Sequence, residues 1–104
     1  MLLSTTYTIH GKKIVKHLGL VRGNTIRARH IGRDIMAGLR NIVGGEITDY
    51  TKMMAESREQ SIDRMIEEAQ KLGANAIIGV RFSTTEIMQR AAEIMVFGTA
   101  VVVE

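Results

Sequence analysis

Three histidines, His10, His17 and His30, are the side chains best suited to hold a transition metal near neutral pH. Asp34 follows His30 by four residues, and Glu46 stands where two helical patterns meet. Imidazole nitrogen and carboxylate oxygen bind a divalent or soft ion when several converge within about 2.0 to 2.3 Å of it. His30, Asp34 and Glu46 are therefore the candidate metal ligands. The spacing does not enforce convergence, and solvated histidines with a solvated Glu46 are the plainer reading. His10 and His17 are an odd number of residues apart, so one uninterrupted strand would send them to opposite faces, although Gly11 could break the alternation. Seven methionines offer thioether sulfur to Cu(I). Met36, Met53, Met54 and Met65 fall on or near apolar helical stripes, however, and are better explained as core.

A second chemistry is suggested by charge. From Met1 to Arg33 the chain carries seven basic residues and no Asp or Glu, whereas the remainder carries seven basic and eleven acidic, for a net charge of +3. Arg22, Arg27, Arg29 and Arg33 could neutralise an anion or nucleic-acid phosphates. Pairing of these charges with neighbouring segments or subunits is the blander alternative. Base stacking has little support, because the only aromatics are two tyrosines and two phenylalanines, and both phenylalanines lie in apparent core strands. Nucleic acid is for that reason not expected as a partner.

Several classes are excluded outright. The chain has no cysteine, which removes disulfides, thiolate zinc, iron–sulfur ligation and a cysteine nucleophile. No Walker-type loop, G-x-G-x-x-G, G-x-S-x-G, H-E-x-x-H or EF-hand loop occurs, and no catalytic constellation is visible, so the expectation is not an enzyme. No stretch approaches the roughly 20 apolar residues of a membrane span, and the N-terminus lacks the pattern of a signal peptide, which points to the cytoplasm.

These residues must be positioned by one small domain spanning residues 1–104, since 104 residues with 45% hydrophobic and 24% charged side chains suit a single core. Tyr7 to Gly11 reads as the end of a short first strand. A β-rich run from Lys13 to Ile26 follows, with Gly23-Asn24 as a turn signal giving a hairpin or a bulged, bent strand. Ile35, Met36, Leu39, Ile42 and Val43 predict a first helix over about 33–43, ended by Gly44-Gly45. Asp49 can cap a second, whose stripe runs through Tyr50, Met53, Met54, Ser57, Ser61, Ile62, Met65, Ile66, Ala69 and Leu72. Ala76–Phe82 reads as a central strand, with Ala76, Ile78, Val80 and Phe82 on one face and Ile77, Gly79 and Arg81 on the other. Ser83–Arg90 reads as a polar connection. A last strand from about Ala92 to Val103 is apolar on both faces, more than one helical layer can cover, and a subunit interface is the expected destination of the surplus. The class is α+β, a mostly antiparallel sheet with two helices on one face.

The strings Ile42-Val43-Gly44-Gly45-Glu46, Tyr50, Ser57-Arg58-Glu59 and Leu72-Gly73-Ala74-Asn75-Ala76-Ile77-Ile78-Gly79-Val80-Arg81 resemble the YbjQ-like family. These are small bacterial and archaeal proteins carrying the description "putative heavy-metal-binding domain". The resemblance extends from the Ile14–Gly19 strand, through Asp34 and Gly38-Leu39-Arg40, to Gly98-Thr99-Ala100-Val101. It implies an α+β subunit that joins through its strands into a homopentameric ring, with a divalent or soft metal ion as the implied ligand. It transfers no ligand set, because the closest-matching motifs here contain no histidine. Among the matching residues, Arg40, Glu46, Tyr50 and Arg58 are polar and gather around the helix junction. They could form a buried fold-supporting network or line a cleft. Ser61 stands where the family pattern usually has a small apolar residue.

Overall fold

The computed structural model describes residues 1–28, 46–88 and 91–104, with side chains described except those of residues 27, 28, 46–51 and 88. Strand β1 (Leu2–Leu3) is followed by β2 (Ile14–Ala28), helix α1 (Glu46–Lys71), β3 (Ala76–Met88) and β4 (Ala91–Val103). The sheet order is β1-β3-β4-β2, with β1 parallel to β3 and both β3 and β2 antiparallel to β4. Helix α1 lies across β2 and β4 on one face. The expected α+β architecture is present, as a mixed four-stranded sheet. One helix lies among the described residues where two were expected, and the expected first helix over 33–43 falls outside them.

Helix α1 buries a row four residues apart: Met53, Ser57, Ser61, Met65 and Ala69. That spacing places all five on one side of a helix, and small residues alternating with methionine let the axis come close to the sheet. Met65 and Ala69 meet Val21, Ile77, Val80, Val96 and Ala100 in the main core. A second cluster occupies the opposite face, where Ala76, Ile78, Val101 and Val103 are covered by Ile9 and Ile14. The segment after β1 makes that cover possible. Ser4 donates its N–H to Ile77 O, and Thr6 O and Ser4 O accept from the N–H groups of Gly79 and Val80. The chain then turns at His10-Gly11 and reaches the other end of the sheet, where Lys13 and Glu104 exchange backbone bonds.

Four expectations change or narrow here. The short first strand is Leu2–Leu3, not the stretch ending at Gly11; Tyr7 is 70% exposed in an irregular segment. Of the two readings of Gly23-Asn24, a hairpin or a bulged, bent strand, it is the strand that is present. β2 runs through the pair, and its bulges lie nearer the start, between Ile14 and Lys16 and between His17 and Gly19. Ser83 to Met88 is strand rather than connection, pairing with β4 out to Ala91. Finally, the faces of β3 swap partway. A register shift between Ile78 and Arg81, with Gly79 at φ +61°, puts Ile77 and Val80 under the helix and leaves Ile78 and Arg81 on the other side.

The last strand's double-faced apolar character has a different origin from the one expected. β4 is a central strand, flanked by β3 and β2, and Ile94, Val96, Ala100, Val101 and Val103 are all buried within the subunit. The exposed large apolar side chains on the flanking strands are instead Val15, Leu20 and Ile26 on β2 and Phe82 and Ile87 on β3. Val15 and Leu20 lie level with the two clusters, and the others sit on an arm that extends beyond them. The molecule measures 55 × 22 × 18 Å with a radius of gyration of 17.3 Å, against about 13 Å for a compact chain of this length. Among the described residues no helix is long and apolar enough to cross a membrane.

Candidate functional site

The expected ligand and anion residues are dispersed. His10 is exposed in the turn before β2 and His17 is exposed on β2. His30 and Asp34 lie outside the described residues, and Glu46 is the first residue of α1. Among the described residues no group of three or more His, Asp or Glu side chains is placed to hold an ion. Those residues therefore supply no metal centre, and no metal-dependent step is derived.

Of the expected polar cluster, Arg40 lies outside the described residues, while Glu46 and Tyr50 fall in the first turns of α1. Arg58 is exposed, on the helix but out of the core. At 1.5 Å per residue it sits about 12 Å along the axis from Tyr50. A buried network that includes Arg58 is thus not formed. The basic group divides similarly: Arg22 is exposed on β2, Arg27 is in β2 opposite Ala92, and Arg29 and Arg33 lie outside the described residues.

What the fold does assemble beneath α1 is a hydroxyl cluster. Ser61 Oγ lies 2.9 Å from Thr25 Oγ1, 2.8 Å from Ser57 O and 3.2 Å from Ile94 O, and Ser57 Oγ donates to Met53 O at 2.9 Å. Ser57, Ser61 and Thr25 are all buried. Each hydroxyl is satisfied by a neighbour, so burial carries no unpaired-group penalty. Ser61 thereby tolerates a position that suits an apolar residue, and the cluster is a structural seam between helix and sheet.

The opposite face of the arm is chemically richer. Because side chains alternate along a strand, the burial of Val21, Gly23 and Thr25 under α1 sends Leu20, Arg22, Asn24 and Ile26 to the open side. The pairing sets Arg22 opposite Phe97 on β4, and Phe97 opposite Arg81 on β3. One row across three strands therefore reads arginine, phenylalanine, arginine. Arg81 Nη1 donates to Thr5 O and to Val80 O, each at 2.8 Å, and its guanidinium carbon stands 5.6 Å from the Tyr7 ring centroid. One row further along, Asn24 Nδ2 donates to Glu93 Oε2 at 3.2 Å.

Sequence reasoning missed this row for two reasons. Phe97 was read as core, and Arg81 was assigned to the same face as Ile77, which the shift at Gly79 undoes. The adjacent Gly79-Val80-Arg81 and the pairing of two long strands were the available signals, but pairing partners are not legible from one strand alone.

Comparison with known proteins places this architecture among relatives of matching length. Residues 1–104 match the model of a family described as "Putative heavy-metal-binding". A UPF0145 protein of Dehalococcoides mccartyi is 62% identical over 104 residues, covering all of both chains. A UPF0145 protein of Methanosarcina acetivorans is 56% identical over 101 residues, covering 97% of this chain and 95% of the relative. A crystal structure from Pediococcus pentosaceus, described as a protein of unknown function in the DUF74 family, superposes with a TM-score of 0.68. It covers 100% of this chain and 98% of that one at 16% identity, a likeness of fold.

Proposed function

This chain belongs to the YbjQ-like family, and from that premise we propose that it is a non-enzymatic, cytoplasmic protein whose subunits join edge to edge into a homopentameric ring that binds a divalent or soft metal ion. The observation that carries the assembly is the mismatch between helix and sheet. Among the described residues helix α1 packs chiefly on β2 and β4, and β3 shares its core only at Ile77 and Val80. Phe82 on β3 is 49% exposed, and Thr84 and Glu86 are exposed too.

Both edges are also long. Among the described residues β2 has no strand on its outer side, and β3 has none beyond the segment that bonds to Gly79 and Val80. Proline, a common guard of such edges, is absent from the whole chain. Among the described residues a side chain intervenes on β2 only at Asn24, Arg64 Nη1 donating to its carbonyl at 2.6 Å. β2 and β3 point the same way, being both antiparallel to β4. Joining β2 of one subunit to β3 of the next therefore makes a parallel, head-to-tail contact, which a rotation closes into a ring. That join carries the neighbour's α1 over Phe82.

For the metal, support comes from the family description and from the donor chemistry of His30, Asp34 and Glu46, the ligands of this proposal. Native mass spectrometry with and without zinc, copper, nickel and cadmium salts tests both halves together. The expected spectrum is a five-subunit mass carrying whole numbers of ions, with His30→Ala and Glu46→Ala losing the ions and keeping the mass. A single-subunit mass overturns the ring, and metal-free pentamers in all four salts overturn the metal.

A further inference from the structure

We infer that the open face of the sheet around Phe97 is a binding platform for a phosphorylated aromatic compound of the nucleotide type, its ring stacked on Phe97 and its phosphate paired with Arg22 in the positive field that Arg81 adds. The inference is independent of the ring and of the metal. A strand-edge join lengthens the sheet and leaves this face uncovered.

Three features of the row point to such a ligand. First, two cations flank one aromatic ring. Strands β2 and β3 are each one spacing from β4, so the two arginine backbones stand about 9.5 Å apart. Arg22 is long enough to reach over the ring, whereas Arg81 is held toward Thr5 and Tyr7 on the outer side of β3 and adds its charge from there. Like charges gathered on one row of a sheet repel, and an anion between them removes that repulsion.

Second, nothing nearby among the described residues neutralises them. Arg22 is exposed and has no hydrogen bond or ion pair among the described residues. Arg81 uses Nη1 for Thr5 O and Val80 O, which fixes the guanidinium and leaves Nη2 and Nε free to donate among the described residues. On this face β4 carries one carboxylate, Glu93, four residues from Phe97. That is about 13 Å along the strand, and the carboxylate accepts from Asn24 Nδ2.

Third, the surface is flat and partly aromatic. Phe97 is half-buried, held from beneath by the sheet, and no described helix lies over its outer surface. Tyr7 adds a second ring beside Arg81, seated against Gly79, where a Cβ would come within 2.8 Å of the tyrosine Cε1. Aromatic side chains on an open sheet with flanking arginines accept bases of any sequence by stacking while the cations take the phosphate.

The same chemistry is offered by a free nucleotide and by one unit of a single strand. Calorimetric titration of the intact protein at low salt, with AMP, adenosine, inorganic phosphate and an eight-residue oligoadenylate, separates them. AMP is expected to bind saturably, at least tenfold more tightly than either adenosine or phosphate. Arg22→Gln, an exposed substitution that leaves the core untouched, and Phe97→Leu are each expected to weaken AMP at least tenfold while circular dichroism stays unchanged. Comparable affinity for AMP and the oligomer supports a free nucleotide as the ligand, and a hundredfold preference for the oligomer supports a single strand. Phosphate binding as tightly as AMP, no saturable heat from AMP and oligomer alike, or unaltered affinity in Arg22→Gln overturns the platform. Because the heats are read per subunit, a monomeric protein leaves the test intact.

Discussion

Gly23→Ala is expected to lower the melting temperature by at least about 10 °C, although it adds one methyl group to a strand. The Cβ would stand 2.6 Å from the backbone N of Met65 and would also meet Ser61 O and Arg64 Cβ. These are mostly backbone atoms of α1, which no rotamer change can move. The helix must lift from β2, loosening Met65 against Val21 and the bond from Ser61 to Thr25. Overpacking of this kind costs about 3 kcal/mol, and about 4 to 8 °C accompanies each kcal/mol in a domain of this size. Gly73→Ala supplies the comparison. Its φ of +86° is strained for alanine but nothing lies within 4 Å of the new Cβ, so about 1 kcal/mol is expected. Thermal melts that rank the two variants in the reverse order would contradict the close helix contact.

The second large effect concerns Phe82. Replacing it with aspartate should leave the subunit's secondary structure unchanged, because the side chain is half exposed and outside both core clusters. In the edge-joined ring it lies beneath the neighbour's helix, where a carboxylate has neither water nor a partner. Such a buried charge, together with the lost aromatic contact, weakens a subunit contact by about 3 kcal/mol or more, over a hundredfold in dissociation constant. Phe82→Asp should therefore sediment as a single subunit at concentrations where the parent protein and Phe82→Leu remain assembled. Assembly of the aspartate variant equal to the parent's would place the contact elsewhere.

The parts of the fold that repeat with a fixed period were legible before the structure. The stripe of α1 from Met53 to Ala69 and the apolar run of β4 both carry their signal in residue type, and each lies within a few residues of its expected bounds. The misreadings share a cause, which is that a residue type can answer to more than one constraint. Gly23-Asn24 suits a hairpin as well as a bulged strand because glycine favours turns, but Gly23 is there to admit a helix, and its backbone is ordinary strand. Ser83 to Glu86 was read as a connection because it is polar, yet an edge strand faces solvent on most sides and has no need of apolar alternation. β4 suggested an interface because a double-sided apolar strand exceeds one helical layer. The N-terminal segment, with Ile9 over Ile78 and Val101, supplies the second layer.

The functional surface was less legible for a related reason. Arg22, Phe97 and Arg81 are far apart in sequence, and only strand pairing makes them neighbours. A one-residue shift at Gly79 decides whether Arg81 joins them. No composition or local spacing carries that information; the charge imbalance of the first third singles out Arg22 but not its neighbours on the sheet. The assembly was argued from the wrong strand. The exposed apolar groups that motivate it now belong to β2 and β3, the two edges, rather than to the central β4.

The most direct test of the head-to-tail join exploits the absence of cysteine in the chain. Ile26→Cys on β2 and Thr85→Cys on β3 place thiols near the two outer edges, both at exposed positions. They are treated with a short bifunctional maleimide, each variant alone and both changes in one chain, and the products separated under denaturing conditions. The account predicts monomers from each single variant and, from the double variant, a ladder ending at five subunits beside monomers linked internally across β4, where both residues stand opposite Glu93. Cross-linked dimers from either single variant, or monomers alone from the double one whose mass shows no internal link, would contradict it.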